Sequence, residues 1–244
     1  MTVTIVYDNN RYTPAGLDTL RTSWGFACWV ETDEMVILFD TGGDGSTLLH
    51  NLAELGLDPS AIDAVVLSHA HADHTGGLGA LLGAGVKPTV YVPAAFPDGF
   101  KADVRSLTDV VEVGGSSPVA AGVWTTGEVG TGIVEQALVL DTDEGLIVIT
   151  GCAHPGVVEM VRRARRQNDD AVALVVGGFH LGGASTARIE GIVAEFRELG
   201  VERLAPCHCT GDQARRMFKE SFGEACTLAG VGWSSQFVLN PSRR

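Results

Sequence analysis

Short runs of apolar, mostly β-branched residues recur along the chain, at residues 3–6, 35–39, 64–67, 89–92, 146–149 and 171–176. Each spans four to six residues and has Gly, Pro, Asp or Asn near at least one end, the pattern of a buried strand. Between these runs the apolar positions take a helical spacing. Leu48, Leu49, Leu52 and Leu55 share one face, with Asp44 or Ser46 as cap and Gly56 as stop. Val157, Val158, Val161 and Ala164 form a second stripe after Pro155, and Ile189, Ile192, Val193 and Phe196 a third that stops at Gly200. A weaker helical pattern runs over 212–219. Strands alternating with helices predict an α/β arrangement in which helices cover one or more sheets. The stretch 93–132 is turn-rich and gives no domain boundary, so residues 1–244 are read as one domain.

Composition narrows the function classes. Seventeen Lys and Arg against 30 Asp and Glu give a formal charge of −13. That argues against nucleic acid, whose phosphates require clustered cations, and against an anionic membrane surface. No stretch reaches the roughly 18–20 apolar residues needed to span a bilayer. The first ten residues carry no basic segment leading into an apolar run, so no signal peptide is expected. Five cysteines are an odd and sparse set that does not read as a disulfide framework. The expectation is a soluble, cytoplasmic protein acting on a small molecule, with its oligomeric state open.

The densest chemistry follows the run at 64–67 directly, in Ser68-His69-Ala70-His71-Ala72-Asp73-His74-Thr75-Gly76-Gly77. In extended backbone, residues two apart project to the same side, so His69 and His71 can converge on one point. Asp73 and His74 are adjacent, so for both to reach that point the chain must turn, which Gly76-Gly77 allows. Three imidazoles and a carboxylate within six residues suit a divalent ion of zinc type. Three further histidines lie just beyond apolar runs or near them: His154 in Thr150-Gly151-Cys152-Ala153-His154, His180 in Gly177-Gly178-Phe179-His180, and His208 in Pro206-Cys207-His208-Cys209-Thr210-Gly211. Any one of these alone is as readily a hydrogen-bonded structural residue as a ligand. Strand ends on one side of a sheet converge, however, which raises the case for a common site.

Asp40-Thr41-Gly42, His69-x-His71-x-Asp73-His74 and the later single histidines together resemble the metallo-β-lactamase superfamily over nearly the whole chain. The three later motifs resemble its subgroup related to a pterin-transferring, dihydropteroate-synthase-like enzyme of methanopterin biosynthesis, whose members are mostly labelled metal-dependent hydrolases. The resemblance implies an αββα sandwich, two mixed β-sheets flanked by helices, with a one- or two-metal site at one edge. It implies His69, His71 and His154 as ligands of a first metal, and Asp73, His74 and His208 as ligands of a second. The chain departs from the pattern where superfamily members commonly place a bridging Asp after a strand. Here Cys152 stands, with His154 two residues on, and the usual upstream histidine is replaced by Val134-Glu135-Gln136-Ala137. Cys152 and His180 are therefore alternative ligands. Zinc is the expected metal, with manganese, iron or magnesium as alternatives.

The activity implied is hydrolysis of an ester, amide or phosphoester-type bond by a metal-bound hydroxide. Asp73 would manage the water's proton and His180 would protonate the leaving group or bind an anionic substituent. Transfer of a pterin methyl group to an aminobenzene ribosyl phosphate is the alternative from the subgroup. A non-catalytic metal-binding sensor or scaffold is a third reading, disfavoured by the complete histidine cluster. Asp40 is expected to close a turn and bond a ligand histidine from behind. The run Arg162-Arg163-Ala164-Arg165-Arg166 reads as a solvated helix end, and Trp24, Phe26, Trp29 and Trp233 as core residues with a planar-substrate pocket as the alternative.

Overall fold

Each of the six apolar runs overlaps a strand, and each of the four helical stripes a helix, in the computed structural model, which describes residues 1–166, 168 and 170–240. The chain divides into two units, Met1–Gly115 with Gly230–Gln236, and Ser116–Ala229 with the residues from Phe237 onward.

The first unit contains β1 (Thr2–Asp8), β2 (Phe26–Glu31), β3 (Val36–Phe39), α1 (Gly45–Glu54), β4 (Ile62–Val66), α2 (Ala72–Thr75), α3 (Leu78–Gly83), β5 (Thr89–Pro93), α4 (Asp98–Arg105) and β6 (Val110–Val113). Its sheet has the order Ser234–Gln236, β1, β2, β3, β4, β5, β6. The pairs from Ser234–Gln236 to β3 are antiparallel, and those from β3 to β6 are parallel. Parallel strands are covered on both faces, which is why 64–67 reads as unbroken hydrophobicity rather than alternation. Leu48 and Leu52 of α1 and Leu78 and Leu81 of α3 pack with Val65 and Val90 in one apolar core.

The second unit contains β7 (Ser117–Ala120), β8 (Val123–Thr125), β9 (Leu138–Thr142), β10 (Gly145–Thr150), α5 (Val157–Arg165), β11 (Val172–Gly178), α6 (Thr186–Glu198), β12 (Val201–Cys207) and α7 (Asp212–Phe222). The sheet order is β12, β11, β10, β9, β8, β7, with β10, β11 and β12 parallel and the remainder antiparallel. Val161, Ile189 and Phe218 from the three helices pack over Val148 and Val175. Phe179 stands edge-on to Phe196 and Phe218, with ring centroids 6.0 and 5.6 Å away, and this pins the chain just before His180. Both sheets are mixed and flanked by helices, the α/β class expected from the sequence. No helix among the described residues is long and apolar enough to cross a membrane.

The aromatic residues divide. Phe26, Trp29 and Trp233 are buried in line with core packing, whereas Trp24 is 59% exposed and belongs to no core. The arginine run on α5 is engaged: Arg162 pairs with Glu195, Arg166 with Glu159, and Arg163 and Arg165 donate to the carbonyls of Thr126 and Leu199.

At Gly77, a Cβ would stand 2.1 Å from the Thr41 carbonyl oxygen, whereas one at Gly79, on the exposed side of α3, would meet nothing within 4 Å. Gly77→Ala should therefore destabilise the protein by about 3 kcal/mol, the upper end of overpacking costs, and Gly79→Ala should stabilise it by about 0.5–1 kcal/mol; urea denaturation measures both. Asp44 caps α1, accepting from the Thr47 hydroxyl at 2.7 Å and the Thr47 N–H at 2.8 Å, and these bonds hold its pKa down at about 2. A depressed carboxylate contributes stability above its unfolded pKa and loses it as pH falls through the folded value. Asp44→Ala should lower Tm at neutral pH, and thermal scans should show the gap to wild type closing between about pH 4 and pH 2.

Candidate metal centre

The histidine cluster of the first unit is arranged by one buried carboxylate. Asp40 follows β3 with φ +58°, and its side chain is fully buried. Its Oδ1 accepts the Ser68 N–H at 2.7 Å, and its Oδ2 accepts the Ser68 hydroxyl and His74 Nδ1, each at 2.7 Å. Burial pushes the Asp40 pKa up, and the His74 charge and these hydrogen bonds work against that rise. Because the Ser68 hydroxyl donates to Asp40, its oxygen accepts from His69 Nδ1, 2.9 Å away. Asp40 and Ser68 thus engage the Nδ1 atoms of His74 and His69, and Nε2 is the nitrogen each ring presents to a metal.

The neighbouring donors close the set. His69 Nε2 lies 3.1 Å from His71 Nδ1, and His74 Nε2 lies 3.6 Å from Asp73 Oδ2. Two donors on one tetrahedral ion at roughly 2.0–2.1 Å stand about 3.4 Å apart, so both spacings match the edge of a coordination shell. The way the chain reaches this geometry differs from the extended i, i+2 path expected. It bends at His69-Ala70 and enters the single turn α2, which carries Asp73 and His74, with the His74 N–H bonded to the His71 carbonyl at 3.0 Å. Thr41 fastens that turn to the end of β3, donating its N–H at 2.7 Å and its hydroxyl at 2.9 Å to the His74 carbonyl. His69 and His74 are buried, Asp73 is 22% exposed along its side chain, and His71 is exposed. The seventh histidine, His50, lies on α1, where it meets the Thr19 carbonyl.

The second unit repeats this logic with Glu135, a residue that sequence reading did not single out. Its buried carboxylate accepts three successive backbone N–H groups, those of Cys152 and Ala153 at 2.8 Å and His154 at 2.9 Å, and also His154 Nδ1 at 3.0 Å. Ala153 has φ +59°, which curls the loop after β10 so that consecutive amides face one anion. The signal was present in the sequence: a single charge just ahead of the uncharged, buried segment 136–140 must find partners.

His208 follows β12, buried, with Nε2 3.4 Å from Cys152 Sγ. His180 follows β11, exposed, with its ring centroid 4.3 Å from that of His154. Cys209 is buried, and hydrogen bonds with the Cys152 side chain and then His180 draw its pKa down to about 5; the bond to Cys209 in turn raises His180. No disulfide joins any of the five cysteines. The non-glycine residues with positive φ among the described residues are Asp40, Ala153, His180 and His208, all in these loops. Such conformations cost about 1–3 kcal/mol each and persist where surrounding bonds over-determine them.

Each unit therefore gathers its own sequence-predicted donors: His69, His71, Asp73 and His74 in the first, and Cys152, His154, His180 and His208 in the second. An imidazole whose Nδ1 is held by a carboxylate is pre-set for a divalent ion, and the nitrogen, oxygen and sulfur donors present fit one of zinc type. Glu135→Gln places an amide N–H₂ among donors and cannot hold His154 as the carboxylate does. It should weaken zinc binding about 10–100-fold with circular dichroism unchanged, as read by calorimetric titration of metal-free protein; unaltered affinity would remove Glu135 from this role.

Comparison with known proteins agrees with the donor pattern. The chain matches the Lactamase_B family, the metallo-beta-lactamase superfamily, over residues 25–208. It is 30% identical over 234 residues to a 7,8-dihydropterin-6-methyl-4-(beta-D-ribofuranosyl)-aminobenzene-5'-phosphate synthase of Methanocaldococcus jannaschii, covering 77% of this chain and 80% of that one. A solved metal-dependent hydrolase of the beta-lactamase superfamily is 27% identical, with a TM-score of 0.80 over 98% of this chain and 99% of that one. The fold also matches the metallo-beta-lactamase fold protein YhfI of Bacillus subtilis, 17% identical, with a TM-score of 0.71 over 96% of this chain and 99% of that one. With its fold, its histidine motif and a family match over most of its length, this chain belongs to the metallo-β-lactamase superfamily.

Proposed function

We propose that the protein is a metal-dependent hydrolase acting on an ester, amide or phosphoester-type bond of a small molecule. The observation that carries this reading is the hydrogen bond at Nδ1 of His69, His74 and His154, each made to a carboxylate or to a hydroxyl that a carboxylate holds. Metal-ligating histidines almost always have their other ring nitrogen held in this way, which fixes the ring and raises its basicity. In this reading His69, His71, Asp73 and His74 of the first unit and His154 and His208 of the second are the metal ligands. Zinc suits this nitrogen-rich set. A bound divalent ion would lower the pKa of water toward about 7 and polarise the substrate oxygen.

The chain's own groups supply the remainder. With one ion bound, Asp73, part-exposed and beside His74, would take the proton of the attacking water; with two, it would serve as a ligand. In this reading His180, exposed and with its ring tilted against that of His154, holds a proton for the leaving group. The acidic balance of −13 favours a small substrate over a nucleic acid.

The 30% identity to the Methanocaldococcus jannaschii synthase supports a second reading, in which the same donors serve transfer onto an aminobenzene ribosyl phosphate rather than transfer to water. A screen of ester, lactone, phosphodiester and pterin substrates separates the two. In either case His69→Ala should remove metal and turnover together, measured by elemental analysis and initial rates on protein whose circular dichroism is unchanged. Normal turnover at undiminished metal content would contradict the proposal, and His71→Ala, at an exposed position, provides the same test with less risk to folding.

A further inference from the structure

The parallel strands β10, β11 and β12 are neighbours in one sheet, and each is followed two residues later by a soft or borderline donor: Cys152 after Thr150, His180 after Gly178 and Cys209 after Cys207. The strand register brings these positions to one edge, with Thr150 opposite Gly177 and Gly178 opposite Cys207. One donor atom from each of Cys152, His180 and Cys209 lies within 4.8 Å of the other two. A tetrahedral ion with bonds of about 2.3 Å to sulfur and about 2.05 Å to nitrogen needs donors roughly 3.5–3.8 Å apart, so modest closure completes the shell.

The surroundings keep that space clear. A Cβ on Gly178 would stand 2.7 Å from Cys209 Sγ and 3.2 Å from the His208 ring, so any larger residue there would push the thiol out of line. Both thiols are buried, at 4% and 8% exposure, while His180 is exposed. We propose that Cys152, His180 and Cys209, all from the second unit, form a thiolate–imidazole site for a thiophilic divalent cation of the zinc class, built from donors other than the six ligands assigned to the hydrolytic centre and adjoining it where Cys152 Sγ lies 3.4 Å from His208 Nε2. Two sulfurs and a nitrogen select such ions over the hard cations that oxygen donors prefer. Occupancy would also engage His180 and so slow turnover; that consequence alone rests on the hydrolase reading, while the binding does not.

Cadmium tests the binding without reference to activity, because sulfur-to-cadmium charge transfer absorbs in the ultraviolet. Reduced, metal-free protein is titrated with Cd²⁺ as wild type, as His71→Ala/Asp73→Ala and as Cys209→Ser. The site predicts a thiolate band in the wild type that persists in the double variant. In Cys209→Ser the band should fall to about half per bound ion, with affinity reduced about ten-fold or more. His180→Ala, on protein whose circular dichroism is unchanged, should weaken binding about ten-fold while leaving the band per bound ion in place. Loss of the band in the double variant would make the thiols accessories of the hydrolytic centre. An unchanged band and affinity in Cys209→Ser would remove Cys209 as a ligand. Protein prepared without reductant that shows two thiols fewer than the five present, the missing pair mapping to Cys152 and Cys209, would show a disulfide pair instead. Each of these three results overturns the proposal.

Discussion

Two carboxylates cut off from water, Asp40 and Glu135, set the terms on which the donor loops fold. An ionised acid in a protein interior costs several kcal/mol unless donors surround it. Asp40 draws those donors from Ser68 and His74, and Glu135 draws them from three successive amides and His154. In both cases the last donor is a candidate metal ligand. The same bonds that make burial tolerable thus fix which nitrogen of the ring carries the proton and which is presented outward. They also sustain backbone conformations that Asp40 and Ala153 would not adopt unaided.

The sheets make this arrangement possible. Parallel strands end side by side, so β3 and β4 deliver Asp40 and the 68–74 segment to one edge, and β10, β11 and β12 deliver Cys152, His154, His180, His208 and Cys209 to another. Helices bury the strand faces and the Phe179–Phe196–Phe218 cluster anchors one donor loop, while glycines at 77 and 178 leave room where backbone or thiol must approach closely. Rigid scaffold and strained loops are complementary: packing supplies the stability that the loop conformations draw down.

Much of this was legible from residue order alone, for identifiable reasons. Buried parallel strands advertise themselves as β-branched runs, and α1, α5 and α6 carry clear apolar stripes. By contrast β2 mixes Ala and Cys with its aromatics, β12 carries Glu202, Arg203 and Pro206, and β6 to β8 are short pieces inside the turn-rich 93–132. α2 is a single turn with no periodicity to read, and α3 is half glycine and alanine. The histidine motif could be read because its four donors sit within six residues, and the role of Asp40 could be inferred from its place after a strand. Glu135 escaped because its partners lie 17 to 19 positions further along. The grouping of Cys152, His180 and Cys209 escaped because it depends on strand register, which residue spacing does not encode.

Long-range ¹H–¹⁵N correlation NMR of the histidine rings bears most directly on the claim that buried acids pre-set the ligands. In metal-free protein the Nδ1 atoms of His69, His74 and His154 should each carry a proton, and added zinc should shift the Nε2 resonances while leaving Nδ1–H in place. Rings that carry a proton on Nε2 alone, or Nε2 resonances indifferent to zinc, would contradict the claim.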